Sequence, residues 1–194
     1  MAADRNPQRA ETGTQVSLGQ LGDAALMYAR SGVPVFPVWG PTEDGGCACP
    51  RGLDCSQPAK HPMGDLATRG FKDATTDLGV VRDWWTRRPK ANIGMPTGRR
   101  TGLFVVDVDF DRGGFETLAA LIHRHKEWPD PPTVRTGGGG LHFFFSYPTG
   151  VEIRNSTGKL GPGIDVRGEG GYVLLPPSVH ATRRVYEWAG NASG

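Results

Sequence analysis

Three carboxylates, a guanidinium and a histidine are the residues through which this sequence can do chemistry. Asp107 and Asp109 form an Asp-Val-Asp step at the end of the apolar run Leu103 to Val106. Side chains alternate along a strand, so Leu103, Val105, Asp107 and Asp109 share one face, with Phe104, Val106, Val108 and Phe110 on the other. Carboxylates two positions apart, about 7 Å along a strand, can converge on a hard cation; left unpaired they repel and resist burial. Asp165 and Arg167 repeat the alternation in a second short run, opposite Ile164 and Val166. A third acid beside a guanidinium suits a metal-bound triphosphate, the acid on the cation and Arg167 on phosphate oxygens. A solvated strand end with helix-capping aspartates would be written in the same letters, so the acids alone leave both readings open.

Two further clusters stand apart from the acids. Gly137 to Gly140 let backbone approach a ligand closely, and the next strand points His142, Phe144 and Ser146 toward a cleft, with Phe143, Phe145 and Tyr147 opposite. A flexible turn and a structural histidine are the plain alternatives. Cys47, Cys49 and Cys55 are the only cysteines, and an odd number cannot pair completely as disulfides. With His61 they read Cys-x-Cys-x5-Cys-x5-His, four soft or borderline ligands for a structural zinc in a loop of little apolar content. The spacing differs from the usual pair of Cys-x-x-Cys hooks, and reduced cysteines beside an exposed His61 are the alternative.

The elements that must position these groups follow from periodicity. Ser17 caps a helix carrying Leu18, Leu21, Ala25 and Tyr28 and stopped by Gly32. A short buried strand over 33–39 contains Pro34 and Pro37, which confine it to a sheet edge, and 40–74 read as irregular. Thr76 and Asp77 cap a second helix with Leu78, Val81 and Trp84 or Trp85 inward, ending before Pro89. Strands are expected at 92–98 and 101–110, the latter central and covered on both faces. A helix over 113–125 follows, with Phe115, Leu118 and Ile122 inward. Beyond the Pro-rich turn at 128–132 come short strands separated by glycines, so the second half is mostly β. Two subdomains sharing a cleft are expected.

Composition sets the limits. At 194 residues there is room for one catalytic module, and 29 Gly with 16 Pro favour an α/β or α+β layout over a helix bundle. A net charge of +2 gives no bulk argument for nucleic acid, so any basic groove must be assembled by folding from local pairs such as Arg87-Arg88. No run approaches the roughly 18 apolar residues of a membrane span, and the first residues lack the apolar core of a secretory signal. A cytoplasmic protein with a disordered leader over 1–16 and a short tail over 191–194 is expected. No Gly-x-x-x-x-Gly-Lys-[Ser/Thr] phosphate loop occurs, so the chain carries no helicase motor.

Asp107-Val108-Asp109, Gly140-Leu141-His142 and Ile164-Asp165 resemble, in order and spacing, the three motifs of the archaeo-eukaryotic primase superfamily. The match is nearest to its bifunctional primase-polymerase (Prim-Pol) branch, found in plasmids, phages and integrated elements. Matching text at 70–77, 92–98 and 163–180, and the Tyr-Glu-Trp at 186–188, extends it from about Leu21 to Trp188. The resemblance implies a two-subdomain primase-like fold with a central mixed sheet, an RRM-like catalytic half and a zinc-binding insertion at 40–66, all within a catalytic domain over 17–190. It further implies that Asp107, Asp109 and Asp165 hold two magnesium or manganese ions, that His142 meets the incoming nucleotide's phosphates, and that Arg135, Thr136, Arg167 and Lys72 contact nucleotide or template. Some relatives carry similar Cys-rich loops ending in Lys-His-Pro, as at 60–62 here, which strengthens the zinc reading. Many relatives have Ser two residues before the motif histidine, where this chain has Gly140.

The expected function is that of a DNA primase and DNA-directed DNA polymerase: template-directed, metal-dependent nucleotidyl transfer from dNTP or NTP to a 3′-hydroxyl in DNA replication. Single-stranded template, primer and nucleoside triphosphates are the expected partners, with a helicase domain outside this chain. Asp-x-Asp also serves metal-dependent nucleotide-sugar transferases, and a noncatalytic single-strand-binding module is the third reading. Priming against extension, dNTP against NTP preference, template specificity and oligomeric state are not written in the sequence.

Overall fold

Asp77 accepts hydrogen bonds from the N–H groups of Gly79 and Val80, capping the helix that places Val81, Trp84 and Trp85 in the core. The computed structural model describes residues 17–126 and 128–190; the expected leader at 1–16 and tail at 191–194 lie outside the described residues. In chain order the elements are α1 (Gly19–Arg30), β1 (Phe36–Val38), α2 (Leu78–Arg87), β2 (Asn92–Pro96), β3 (Leu103–Val108) and α3 (Gly114–His125). Then follow β4 (Thr133–Arg135), β5 (Leu141–Ser146), β6 (Ser156–Thr157), β7 (Ile164–Arg167), β8 (Tyr172–Leu175) and β9 (Glu187–Trp188). Ser17 lies one residue outside the cap position, which Leu18 occupies, and its hydroxyl still accepts from Gly19 N–H while donating to Asp23.

The strands form two sheets, β1-β2-β8 and β6-β7-β3-β5-β4-β9. The proline-bearing β1 is an edge strand, as its missing donors require. Every strand pair in both sheets is antiparallel, which corrects the expected mixed sheet. The consecutive pairs β4-β5 and β6-β7 are joined by turns too short to supply the crossovers that parallel pairing needs.

Strand β3 lies between β5 and β7, and its two faces meet different layers. Val105 joins Val134, Phe144, Ile93, Met95, Leu175, Leu26 and Trp85 in a core that both sheets, α1 and α2 share. Burying side chains of this size contributes about 1.5–3 kcal/mol each. On the other face Val106, Val108, Phe143 and Ile164 pack under Leu118 of α3. Phe115 and Ile122 do not point inward as the helical spacing suggested: they are 61% and 37% exposed. The stripe α3 lays on the sheet is Leu118 and Leu121 instead, while Phe115 stands edge-on to Phe110 at the helix entrance.

Residues 40–74 are irregular apart from two 3-10 turns, Gly52–Asp54 and Gly70–Asp73. Buried Asn92 ties this segment down: its Nδ2 donates to the carbonyls of Ala59 (3.2 Å), Trp39 (3.5 Å) and Val179 (2.8 Å). Among the described residues no helix is long and apolar enough to cross a membrane.

Candidate active site and metal centre

Antiparallel register fixes the site. Asp107 on β3 stands directly opposite His142 on β5 and directly opposite Asp165 on β7, so all three side chains share one face of the sheet. Val105, one pleat back, is opposite Arg167, which brings the guanidinium to the same face. Arg167 Nη2 donates to Asp107 Oδ2 at 3.1 Å and to Asp165 Oδ2 at 3.0 Å. His142 Nε2 lies 3.4 Å from Asp107 Oδ1. Thr157 and the N–H of Gly158 add contacts to Asp165.

Burial alone would raise the Asp107 pKa, but the hydrogen bonds and charges of His142 and Arg167 outweigh it and hold the carboxyl at about 2. Asp107 is therefore an anion at any physiological pH. His142 is 7% exposed, and its Nδ1 has no hydrogen-bond partner among the described residues. Tyr186, packed against both His142 and His180, has its phenol pKa pushed far up by burial and by the Asp107 charge.

Asp109 is placed differently from the expectation that it continues the strand. β3 ends at Val108, and Asp109 caps the 3-10 turn Phe110–Arg112, accepting from Asp111 N–H at 3.2 Å and pairing with Arg112 at 3.2 Å. Of Arg135, Thr136, Arg167 and Lys72, only Arg167 pairs with the acids among the described residues, as His142 does from β5. Thr136 closes the glycine turn, its Oγ1 accepting from Gly140 N–H. Arg135 is exposed on β4, and Lys72 is exposed in the turn Gly70–Asp73, its carbonyl accepting from Arg100. A Cβ at Gly140 would collide with the Val108 carbonyl oxygen, so this backbone leaves no room for a side chain such as serine there.

The residues that sequence reasoning missed sit behind the glycine turn. His180 and Arg184 line it, with the N–H of His180 donating to the Arg184 carbonyl and Thr182 donating to the Gly137 carbonyl. Desolvation, with the Lys60 and Arg184 charges, presses the His180 pKa down to about 4. The stretch Pro-Pro-Ser-Val-His was visible as matching text, but nothing in its spacing revealed that it folds back onto residues 137–140.

A second cluster lies in the irregular segment. The ligand atoms of Cys47, Cys49, Cys55 and His61 all fall within 4.8 Å of one another. His61 Nε2 is 3.4 Å from both the Cys47 and Cys55 sulfurs, close to the about 3.6 Å edge that a tetrahedral zinc with its usual bond lengths would impose. The turn that gathers them is hydrogen-bonded internally: Cys47 N–H donates to the Gly52 carbonyl and Gly52 N–H to that of Cys49. The four residues fit a structural metal, as expected.

Asp107 and Asp165 bring hard oxygen donors from two adjacent strands onto one nitrogen of Arg167, the kind of donor a divalent cation takes, and His142 Nδ1 is a buried polar atom with no hydrogen-bond partner among the described residues. No curated protein matches the chain. Residues 25–193 match the model of the bifunctional DNA primase/polymerase N-terminal domain, and the chain belongs to this Prim-Pol family, whose chemistry is nucleotidyl transfer of the primase and polymerase type.

Proposed function

We propose that this chain is the catalytic domain of a DNA primase-polymerase, transferring nucleotides from dNTP or NTP to a 3′-hydroxyl under the direction of a single-stranded template. The observation that carries the reading is the double register of Asp107, opposite Asp165 on one side and His142 on the other. Magnesium or manganese ions, when bound, would activate the attacking hydroxyl and steady the departing pyrophosphate. Asp107 and Asp165 would supply their oxygen ligands, with Asp109, just past the end of β3, as the third acid of the set. Arg167, now holding both acids, is placed to transfer its hydrogen bonds to phosphate oxygens once a cation takes over their charge. His142 orients Asp107 through Nε2. The backbone of Gly137 to Gly140 approaches the same ligand without side chains in the way.

The three-stranded and six-stranded sheets are the two subdomains of this reading, and zinc on Cys47, Cys49, Cys55 and His61 orders the 40–66 insertion. The domain works in the cytoplasm with a helicase outside this chain, in plasmid or phage replication. Template-dependent incorporation of labelled dNTP onto an annealed primer tests the proposal. It should require magnesium or manganese and vanish in Asp107→Ala; incorporation that survives that change would sink the reading.

A further inference from the structure

A cavity of about 530 Å³ lies between the Cys-rich loop and the C-terminal end of α2, and none of Asp107, His142, Asp165 and Arg167 lines it. Its volume is within the about 300–1,000 Å³ range of ligand pockets. Trp39, Met63, Pro50 and Pro89 make its walls, and Arg87 and Lys90 stand among its lining residues. Trp39 is fixed from both sides by its backbone, its N–H donating to the His61 carbonyl at 3.0 Å and its carbonyl accepting from Asn92 at 3.5 Å. Its indole, tilted at 40° to the His61 ring with centroids 6.5 Å apart, forms one wall.

The cations differ in how firmly they are held. Arg88, also in the lining, is tied to Asp65 at 2.8 Å. Arg87 has only a 3.4 Å pair with Asp83, both side chains more than half exposed, a contact of little worth in water. Lys90 has no ion-pair partner among the described residues. A flat apolar slot beside two recruitable cations matches a base with its phosphates: the base stacks on the indole and the phosphates meet Lys90 and Arg87.

We infer that this cavity is a second docking surface for single-stranded DNA, holding an unpaired stretch of strand apart from the acid cluster. The choice of DNA as occupant rests on the proposed template-directed function; the slot and its charge do not. Unlike the acid cluster, the surface needs no divalent cation.

The test uses the full, zinc-loaded chain and a labelled oligothymidylate of about 16 nucleotides, the upper site size of a single-strand-binding fold. In EDTA-free buffer without magnesium or manganese, the exposed pair R87E/K90E should weaken binding at least about 10-fold and flatten its salt dependence. Trp39→Ala should weaken it by about 5- to 150-fold, the range for loss of one stacked base. An oligonucleotide carrying 5-iodouracil should photocrosslink to Trp39 or Met63. Wild-type affinity and salt slope in R87E/K90E, or crosslinks confined to other segments, would overturn the inference, as would a concentration-dependent dimer that the double variant abolishes. Metal-dependent incorporation by the wild type is read in parallel. If it fails while the variants still lose oligonucleotide binding, the catalytic reading falls and the docking surface stands; if it succeeds and binding is unchanged, only the docking surface falls.

Discussion

Asn92 and Val179, 87 residues apart in sequence, close a two-bond ring: Asn92 Nδ2 donates to the Val179 carbonyl and Asn92 Oδ1 accepts from Val179 N–H, each at 2.8 Å. Since Asn92 is fully buried and also holds the Ala59 carbonyl, replacing it by Ala leaves several backbone groups without partners. Each such group costs about 1–3 kcal/mol. Asn92→Ala should therefore lower the stability of the fold by at least about 2 kcal/mol, read as an earlier urea midpoint at unchanged slope.

Arg167 is the internal counter-charge of Asp107 and Asp165. Arg167→Met should destabilise the metal-free protein by about 1–2 kcal/mol, somewhat less than a fully buried pair because the guanidinium is 36% exposed. It should also increase the thermal shift that magnesium or manganese produces, because the cation then relieves two facing carboxylates unaided. An unchanged shift would mean that the ions bind elsewhere.

Asp109 can be tested apart from its capping role. Asparagine caps turns as well as aspartate does, so Asp109→Asn should keep the melting temperature near that of the wild type. As a metal ligand, Asp109 should cost about 100-fold or more in primer extension when neutralised, comparable to removal of a key electrostatic group. His142→Gln should cost about 10- to 100-fold, the usual penalty for losing a residue that orients a ligand. Full activity in Asp109→Asn would restrict the cation site to Asp107 and Asp165.

Acid should weaken the fold through His180. Desolvation, then Lys60 and Arg184, lower its pKa from 6.5 to about 4, while Thr182 and Tyr186 face it as neutral groups. Between those values the unfolded chain takes up a proton that the folded chain refuses. The stabilisation is complete above about 6.5 and is lost as pH falls toward 4. Urea midpoints should decline across that window, and His180→Gln should flatten the decline.

Zinc should bind one ion per chain and order the segment around it. Cys49→Ser should reduce bound zinc, measured by elemental analysis. Chelation should speed amide exchange in residues 41–61 far more than in β3 or β5, because the loop has few apolar contacts of its own.

The site was largely legible because its residues obey a period of two. Alternation alone put Asp107 with Val105, His142 with Phe144, and Asp165 with Arg167, and the antiparallel register then laid these rows side by side. Alternation failed at Asp109, where the strand expected to run to 110 has already ended at Val108 and the carboxylate serves a turn. Helical spacing failed for Phe115 and Ile122, since a helix with apolar residues on more than one flank does not state which flank meets the sheet. Long-range closures were out of reach: Asn92 with Val179, His180 with the glycine turn, and Trp39 beside α2 depend on segments whose separation in sequence carries no periodic signal. Cys47, Cys49, Cys55 and His61 lie close together in sequence and share ligand chemistry, so their clustering was readable from the letters.

The opposite faces of β3 give this protein two independent dials. Val106, Val108, Phe143 and Leu118 can be exchanged for other hydrocarbons of matching volume to tune heat tolerance, because that layer never sees the reactive side of the sheet. A thermophilic and a cold-adapted version could thus share one unaltered set of acids.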